Sequence, residues 1–207
     1  MITSQDTDLF YIENLKRHGS SSQGVGWKDD SAQIVRFDQL VKVIDLTIPF
    51  SLNDLGCGVG DLSRFLIKNH FPVSRYHGYD ILREMVDEAM VIGGKNDNIK
   101  FFVITDSNEI SQADYTVSSG IFNPRHGISD TQWKHHIIET IQIMNDRSVK
   151  GFAFNALSIY SDVEFRKPEL YYSDPLWLFD FCKINFSKNV ALLHDYNQYD
   201  FTILVRK

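Results

Sequence analysis

Apolar residues along the chain change rhythm in a regular way, and the changes mark its elements. Ile48, Phe50 and Leu52 recur at every second position and lead into three glycines, Gly56, Gly58 and Gly60. Leu62, Phe65 and Leu66 then follow at i, i+3 and i+4, so the stretch reads as strand, tight turn and helix. The alternation continues. Residues 76–81 form a short strand, Leu82, Met85, Val86 and Ala89 mark a helix closed by Gly93-Gly94, and residues 99–104 form a third strand. A fourth strand over 115–120 precedes a helix that starts near Ser129, with Gln132 in a capping box and Trp133, Ile137, Ile141 and Met144 on its apolar face. After a fifth strand over 151–155, Asp174-Pro175 reads as N-cap and first turn of a helix through Trp177, Phe181 and Ile184. Residues 190–193 and 201–205 are two last strands with only a short polar turn between them, which predicts antiparallel pairing.

Ahead of the first strand, Leu9, Ile12 and Leu15 mark a short helix, and Gly19-Ser20-Ser21-Ser22-Gln23-Gly24 a flexible loop. A second helix is expected from Asp30, with Gln33 as its capping partner and an apolar stripe of Ile34, Phe37, Val41 and Ile44. Arg36 and Gln33 fall off that stripe. Residues 1–46 thus read as a helical cap on one α/β domain spanning residues 1–207.

The glycine turn is where a ligand can press against backbone, and the helix start behind it offers free N–H groups. Its G-x-G-x-G spacing differs from the dinucleotide fingerprint G-x-G-x-x-G, and Asp61 stands where that fingerprint wants glycine and would repel a pyrophosphate. Asp80 ends the second strand about 20 residues beyond the glycines, the separation at which an acid meets a ribose diol in nucleotide-binding βαβ units. Asp106-Ser107 follow the third strand. Asp106 could accept from an adenine amino group while the Ser107 N–H donates to a ring nitrogen; an ordinary Asp-Ser turn is the other reading.

Composition narrows the field. The 207 residues carry a net charge of −6, and the isoelectric point lies near 5.6. Without a basic run, a nucleic-acid or anionic-membrane partner is disfavoured. The two cysteines, Cys57 and Cys182, show no metal spacing and are expected to be reduced thiols of a cytoplasmic protein. The first residues lack the basic and apolar regions of a signal peptide, and no apolar run reaches membrane-spanning length. His135, His136 and Glu139 share a helical turn but read as a surface face, so no metal is expected.

Alternating strands and helices that close on an antiparallel hairpin resemble, along nearly the whole chain, the class I S-adenosylmethionine-dependent methyltransferases. Leu52 to Asp61 resembles their motif I. The segment from Tyr11 to Phe37, with His18-Gly19, Val25-Gly26-Trp27, Ser31, Gln33 and Arg36, is similar to the start of a group of small bacterial methyltransferases without a settled acceptor. So are Ser119-Gly120-Ile121-Phe122-Asn123, Ala153-Phe154-Asn155, Tyr172-Ser173-Asp174-Pro175 and His194-Asp195-Tyr196 through Asp200-Phe201-Thr202. The resemblance implies a Rossmann-like, seven-stranded, mostly parallel sheet with a C-terminal antiparallel hairpin and helices on both faces.

It also implies S-adenosyl-L-methionine as cofactor, a ligand with no phosphate beside which Asp54 and Asp61 are tolerable. The implied contact set is Trp27, Arg36, Asp54, Gly56, Cys57, Gly58, Gly60, Asp80, Ile81, Asp106, Ser107 and Ser119. Trp27 and Arg36 are expected to fold over the cofactor, the Arg36 fork meeting its carboxylate. The expected reaction is methyl transfer to a small-molecule acceptor, with a monomer favoured. His126, His194, Asp195 and Tyr172 are candidates for a general base, which only a hydroxyl or ammonium acceptor needs. Asn123-Pro124-Arg125-His126 resembles the box of methyltransferases acting on base amino groups, but lacks its second proline and its aromatic. A catalytically silent methyltransferase-like binding or activator protein is the alternative; it would show erosion of the cofactor residues, yet Gly56, Gly58, Gly60, Asp80 and Asp106 are all present. A nicotinamide oxidoreductase ranks below both because of the glycine spacing.

Overall fold

A computed structural model describes residues 5–26, 29–93 and 96–207. Seven strands form one sheet in the order β3-β2-β1-β4-β5-β7-β6. They are β1 (Phe50–Leu55), β2 (Val73–Asp80), β3 (Ile99–Val103), β4 (Ala113–Ser119), β5 (Ser148–Leu157), β6 (Asn189–Leu193) and β7 (Asp200–Arg206). The first five run parallel, and β7 inserts antiparallel between β5 and β6. The chain builds outward from β1 to β3, then returns to place β4 on the other side of β1. That reversal leaves a crevice outside the carboxyl ends of β1 and β4, where open α/β sheets take their ligands.

Six helices accompany the described strands: α1 (Gln5–His18), α2 (Asp30–Leu40), α3 (Asp61–Lys68), α4 (Arg83–Gly93), α5 (Asp130–Asp146) and α6 (Pro175–Asn185). Alternation along the strands splits the core into two layers. Phe37 and Leu40 of α2, Leu62 and Leu66 of α3 and Val86 of α4 pack with Leu52, Tyr76, Val117 and Ala153. On the opposite face Trp133, Ile137 and Ile141 of α5 and Leu178 of α6 pack with Leu55, Phe152, Phe154 and Ile203. Ala153 and Phe154 are neighbours in sequence and lie on opposite faces, as a pleat requires. Each fully buried leucine or phenylalanine contributes about 1.5–3 kcal/mol. Among the described residues no helix is long and apolar enough to cross a membrane.

The N-caps that sequence placed at α5 and α6 are present, but the capping box expected at α5 is not complete: the Gln132 side chain accepts from the Ser129 hydroxyl at 2.8 Å instead of from its backbone N–H. Ser129 Oγ accepts from Gln132 N–H, and Asp174 Oδ1 accepts from the N–H groups of Leu176 and Trp177. Two details of the N-terminal segment differ from expectation. Helix α2 is capped by Asp29, whose Oδ1 accepts from Ala32 N–H at 2.8 Å, and its inward face is Gln33, Arg36, Phe37 and Leu40, while Ile34 is exposed. In α1, Leu9 faces solvent and Thr7 is buried. Tertiary docking, not hydropathy, sets both faces. Trp27 and Gly94 lie outside the described residues.

Arg36 turns inward because a partner waits there. Its guanidinium donates to Asp200 at the start of β7 and to the Ala32 carbonyl one turn back. The Arg36 and Asp200 side chains are only 8% and 0% exposed. The pair ties α2 to the far half of the sheet. Removing one partner of a buried pair leaves the other charge without its compensation, a loss of roughly 3–5 kcal/mol. Asp200→Asn is therefore expected to lower the urea midpoint strongly, and Arg36→Met in the same chain to restore part of the loss. Equal midpoints for wild type and Asp200→Asn would show that the pair does not hold α2.

Candidate functional site

The glycine turn leaves β1 at Leu55 and is knitted to the end of β2. Gly56 and Cys57 N–H groups both donate to the Tyr79 carbonyl, at 2.8 and 3.1 Å. Gly58 N–H donates to Asp80 Oδ2 at 2.9 Å and Leu82 N–H to Asp80 Oδ1 at 3.0 Å. Glycine is required twice over at the outer positions of the turn. Gly56 and Gly60 have φ of +72° and +82°, and a Cβ would fall 2.2 Å from Ile121 and 2.8 Å from the Phe101 ring, respectively.

The turn forms one wall of a cavity of about 480 Å³. The end of β2 supplies Asp80, Ile81 and Leu82, and α4 adds Met85. The segment after β4 contributes Ser119, Ile121, Asn123 and His126; α5 contributes Trp133 and His136. Leu157, Phe165 and Tyr172 come from β5 and the segment after it, and α1 closes the space with Thr7, Asp8 and Tyr11. Of the residues read from sequence, Arg36, Asp54, Gly56, Cys57, Gly58, Asp80, Ile81 and Ser119 line this one cavity.

The others stand differently. Gly60 is not in the lining; it lets the Phe101 ring of β3 close against the turn. Asp106 and Ser107 are not in the lining either. Asp106 caps a short 3₁₀ turn, accepting from Asn108 N–H at 2.8 Å, while Glu109 accepts from the Asp106 N–H in a complete capping box. That local use competes with a ligand for the same carboxylate. His194 and Asp195 are exposed and outside the lining, whereas His126 and Tyr172 are in it. Among the described residues no cluster of His, Cys, Asp or Glu could hold a metal; His135 meets Glu139 at 3.1 Å, and His136 is buried.

Asparagines hold the floor. Asn155 of β5 accepts from Gly120 N–H at 2.8 Å, and Asn123 accepts from Leu157 N–H at 2.9 Å. Together they set the segment after β4 against Gly56. His126 has a φ of +38°, a left-handed conformation uncommon for a non-glycine residue. Its N–H donates to the Glu169 carbonyl, and its ring lies 5.5 Å from that of Phe10 on α1.

The side of the cavity at the turn is acidic. Burial raises the Asp54 carboxyl to about 7, against a Tyr76 hydroxyl that donates to it at 2.5 Å; the nearby charges of Asp80 and Asp61 push the same way. Burial raises Asp80 as well, offset by the N–H groups of Leu82, Gly58 and Ile81. Burial pushes the Cys57 thiol up, so it stays protonated, and pushes His136 down to about 4, so its imidazole is neutral near pH 7. Asp61 accepts from Gln33 at 2.9 Å and pairs with Arg64. A site lined this way suits a ligand with positive charge at one end and hydroxyl donors further along.

Thr7, Asp8, Tyr11 and Val25 were not legible as site residues. Their only signal was the likeness of the segment from Tyr11 onward to a known N-terminal pattern, which does not reach Asp8.

Comparison with known proteins agrees with this architecture. The chain is 45% identical over 167 residues to the protein named "Putative methyltransferase Rv1506c" of Mycobacterium tuberculosis (strain ATCC 25618 / H37Rv), covering 81% of this chain and 99% of that one. No family model matches. Magnesium protoporphyrin IX methyltransferase from Synechocystis PCC 6803, solved with bound SAH, superposes with a TM-score of 0.67 at 14% identity, covering 97% of both chains. N-methyltransferase NodS from Bradyrhizobium japonicum WM9, in complex with S-adenosyl-l-homocysteine, gives 0.64 at 12% identity, covering 95% of this chain and 98% of that one. At such identities the two solved structures speak for the fold.

The buried Asp54 has a consequence for stability. Its carboxyl titrates near 3.8 when unfolded and about 7 when folded. Between those values the folded chain holds a proton that the unfolded chain releases, so this contribution is full below about pH 4 and is lost as pH rises through 7. Wild type is expected to lose more stability between pH 5 and pH 8 than Asp54→Asn, whose side chain is always neutral. Urea unfolding of both proteins at the two pH values checks this. Equal losses would show that Asp54 does not carry the dependence.

Proposed function

The chain belongs to the methyltransferase family represented by its mycobacterial relative, and from that premise we propose that it transfers a methyl group from S-adenosylmethionine to a small-molecule acceptor. The observation that carries this reading is the cavity itself: the glycine turn and Asp80 line it together with the aromatic side chains of Trp133, Phe165 and Tyr172. One molecule can lie along the turn while a second faces it.

The residues present fit the cofactor. The open backbone at Gly56, Cys57 and Gly58 would hold its methionine part, with Asp54 beneath its ammonium. Asp80 would accept from the ribose hydroxyls, keeping lone pairs free beyond the two backbone N–H groups it already serves. Ile81 and Leu82 would cover the base, and Ser119 would close the floor. Arg36 belongs to the wall, its fork turned to Asp200 and Ala32. Asp106 and Ser107 are left out of the proposed set because they do not line the cavity. A dinucleotide is disfavoured, since Asp61, in the first turn of α3, would face its pyrophosphate.

When bound, the cofactor supplies an electrophilic methyl carbon. The protein's part is to orient the acceptor in line with it and to exclude water, and such positioning can carry much of a rate. Should the acceptor carry a proton to be lost, His126 and Tyr172 are placed to receive it. Of the two, the Tyr172 hydroxyl already accepts from Lys167 N–H at 2.9 Å. A cavity of this size suits a small acceptor, and the net charge of −6 argues against nucleic acid. Both cysteines are free and buried, in keeping with a reducing, cytoplasmic setting.

Titration calorimetry with S-adenosylhomocysteine and with NAD tests the reading. Wild type is expected to bind the first and not the second. Asp80→Ala should bind S-adenosylhomocysteine about 10- to 100-fold more weakly, the loss of charged hydrogen bonds worth roughly 1.5–3 kcal/mol. Gly58→Val should abolish binding while circular dichroism shows the fold retained. Binding of NAD alone, or an unaltered affinity in both variants, would overturn the assignment.

A further inference from the structure

Helix α1 brings two polar side chains to the cavity, Asp8 and Tyr11, which lie on one face three residues apart. Both stand near the end of β2: the Asp8 charge adds to what raises Asp80, and the Asp80 charge adds to what raises Tyr11. The Oδ1 atom of Asp8 is shielded from solvent and takes no hydrogen bond from the described residues. A carboxylate oxygen in that condition is costly, and a second carboxylate beside it adds repulsion. Among the described residues no donor meets the Asp8 Oδ1 atom. A ligand that brings hydroxyl donors between the two acids would meet both.

Asp80 has one backbone N–H on each oxygen, so it retains only part of its accepting capacity for a diol. Asp8 lines the same cavity with an oxygen that takes no bond from the described residues.

We infer that Asp8 is a cofactor-binding residue, the second acceptor for the ribose hydroxyls, so that α1 and β2 clamp the ribose between two carboxylates. This rests on the reading of the cavity as a site for S-adenosylmethionine and extends it to a residue of the N-terminal helix. It also gives α1 a reason to stay closed: the helix meets the folded body mainly at α4 and the 3₁₀ turn Ser22–Val25, and the bound ribose would tie it to β2.

The test is a cycle of calorimetric titrations. Wild type, Asp8→Ala and Asp8→Asn are each titrated with S-adenosylhomocysteine and with its 2′,3′-dideoxy analogue, and circular dichroism checks the fold of each. Asp8→Ala is expected to weaken S-adenosylhomocysteine about tenfold, the lower end for a hydrogen bond to a charged group. Asp8→Asn, which keeps one oxygen of the same shape, should lose less. Removing the two hydroxyls should cost wild type more than it costs Asp8→Ala, by about the same tenfold. If Asp8 only repels Asp80, Asp8→Ala will bind as tightly as wild type or tighter, and the penalty for the dideoxy analogue will be unchanged; either result overturns the proposal. Failure of wild type to bind S-adenosylhomocysteine would overturn the cofactor reading first and this inference with it.

Discussion

The hydrogen bonds between the glycine turn and the end of β2 are the constraint on which the site depends. Gly56 and Cys57 share one carbonyl of β2, and Gly58 reaches the carboxylate one residue further on. These bonds fix how the chain leaves β1, and so where α3 starts. They also hold Asp80 at the rim with both oxygens already oriented. Ile121 can then press on Gly56 and Phe101 on Gly60 only because neither glycine has a side chain. The cavity is therefore a consequence of backbone geometry at the sheet's reversal point, and its polar groups are added to a frame that is already set.

The electrostatics follow from the same frame. Gathering Asp54, Asp61 and Asp80 around one turn, with Asp54 and Asp80 buried, is unfavourable for the isolated protein, and each is met only in part: Tyr76 serves Asp54, Gln33 and Arg64 serve Asp61, backbone amides serve Asp80. Nearby, Arg36 is matched to Asp200 and contributes to the walls through its position. The imbalance left over is negative, the sign that a sulfonium and an ammonium would offset. This links the local cost in stability to the proposed chemistry.

Much of this was legible in the sequence because it is local. Glycine spacing, a strand-ending acid, helix caps at Ser129 and Asp174 and a closing hairpin are all short-range signals, and the fold and the turn follow from them. What escaped depends on distant partners. Arg36 read as lying off the apolar stripe of its helix; its partner is 164 residues away, and only the insertion of β7 beside β5 brings the two together. Leu9, Ile12 and Leu15 marked the apolar rhythm of α1, yet Leu9 is exposed and the helix turns Thr7, Asp8 and Tyr11 to the cavity. Asp106 looked like a nucleoside acid from its place after β3. Glu109, three residues on, completes a cap that takes one of its oxygens, and Asp106 stands outside the cavity lining.

The central claim is that one ligand lies along the glycine turn and Asp80 and is covered by α1. Hydrogen exchange followed by mass spectrometry, with and without saturating S-adenosylhomocysteine, reads that location directly. The account predicts slowed exchange confined to residues 56–60, 80–82 and the α1 helix. Unchanged exchange in those segments, with protection elsewhere or nowhere, would contradict it.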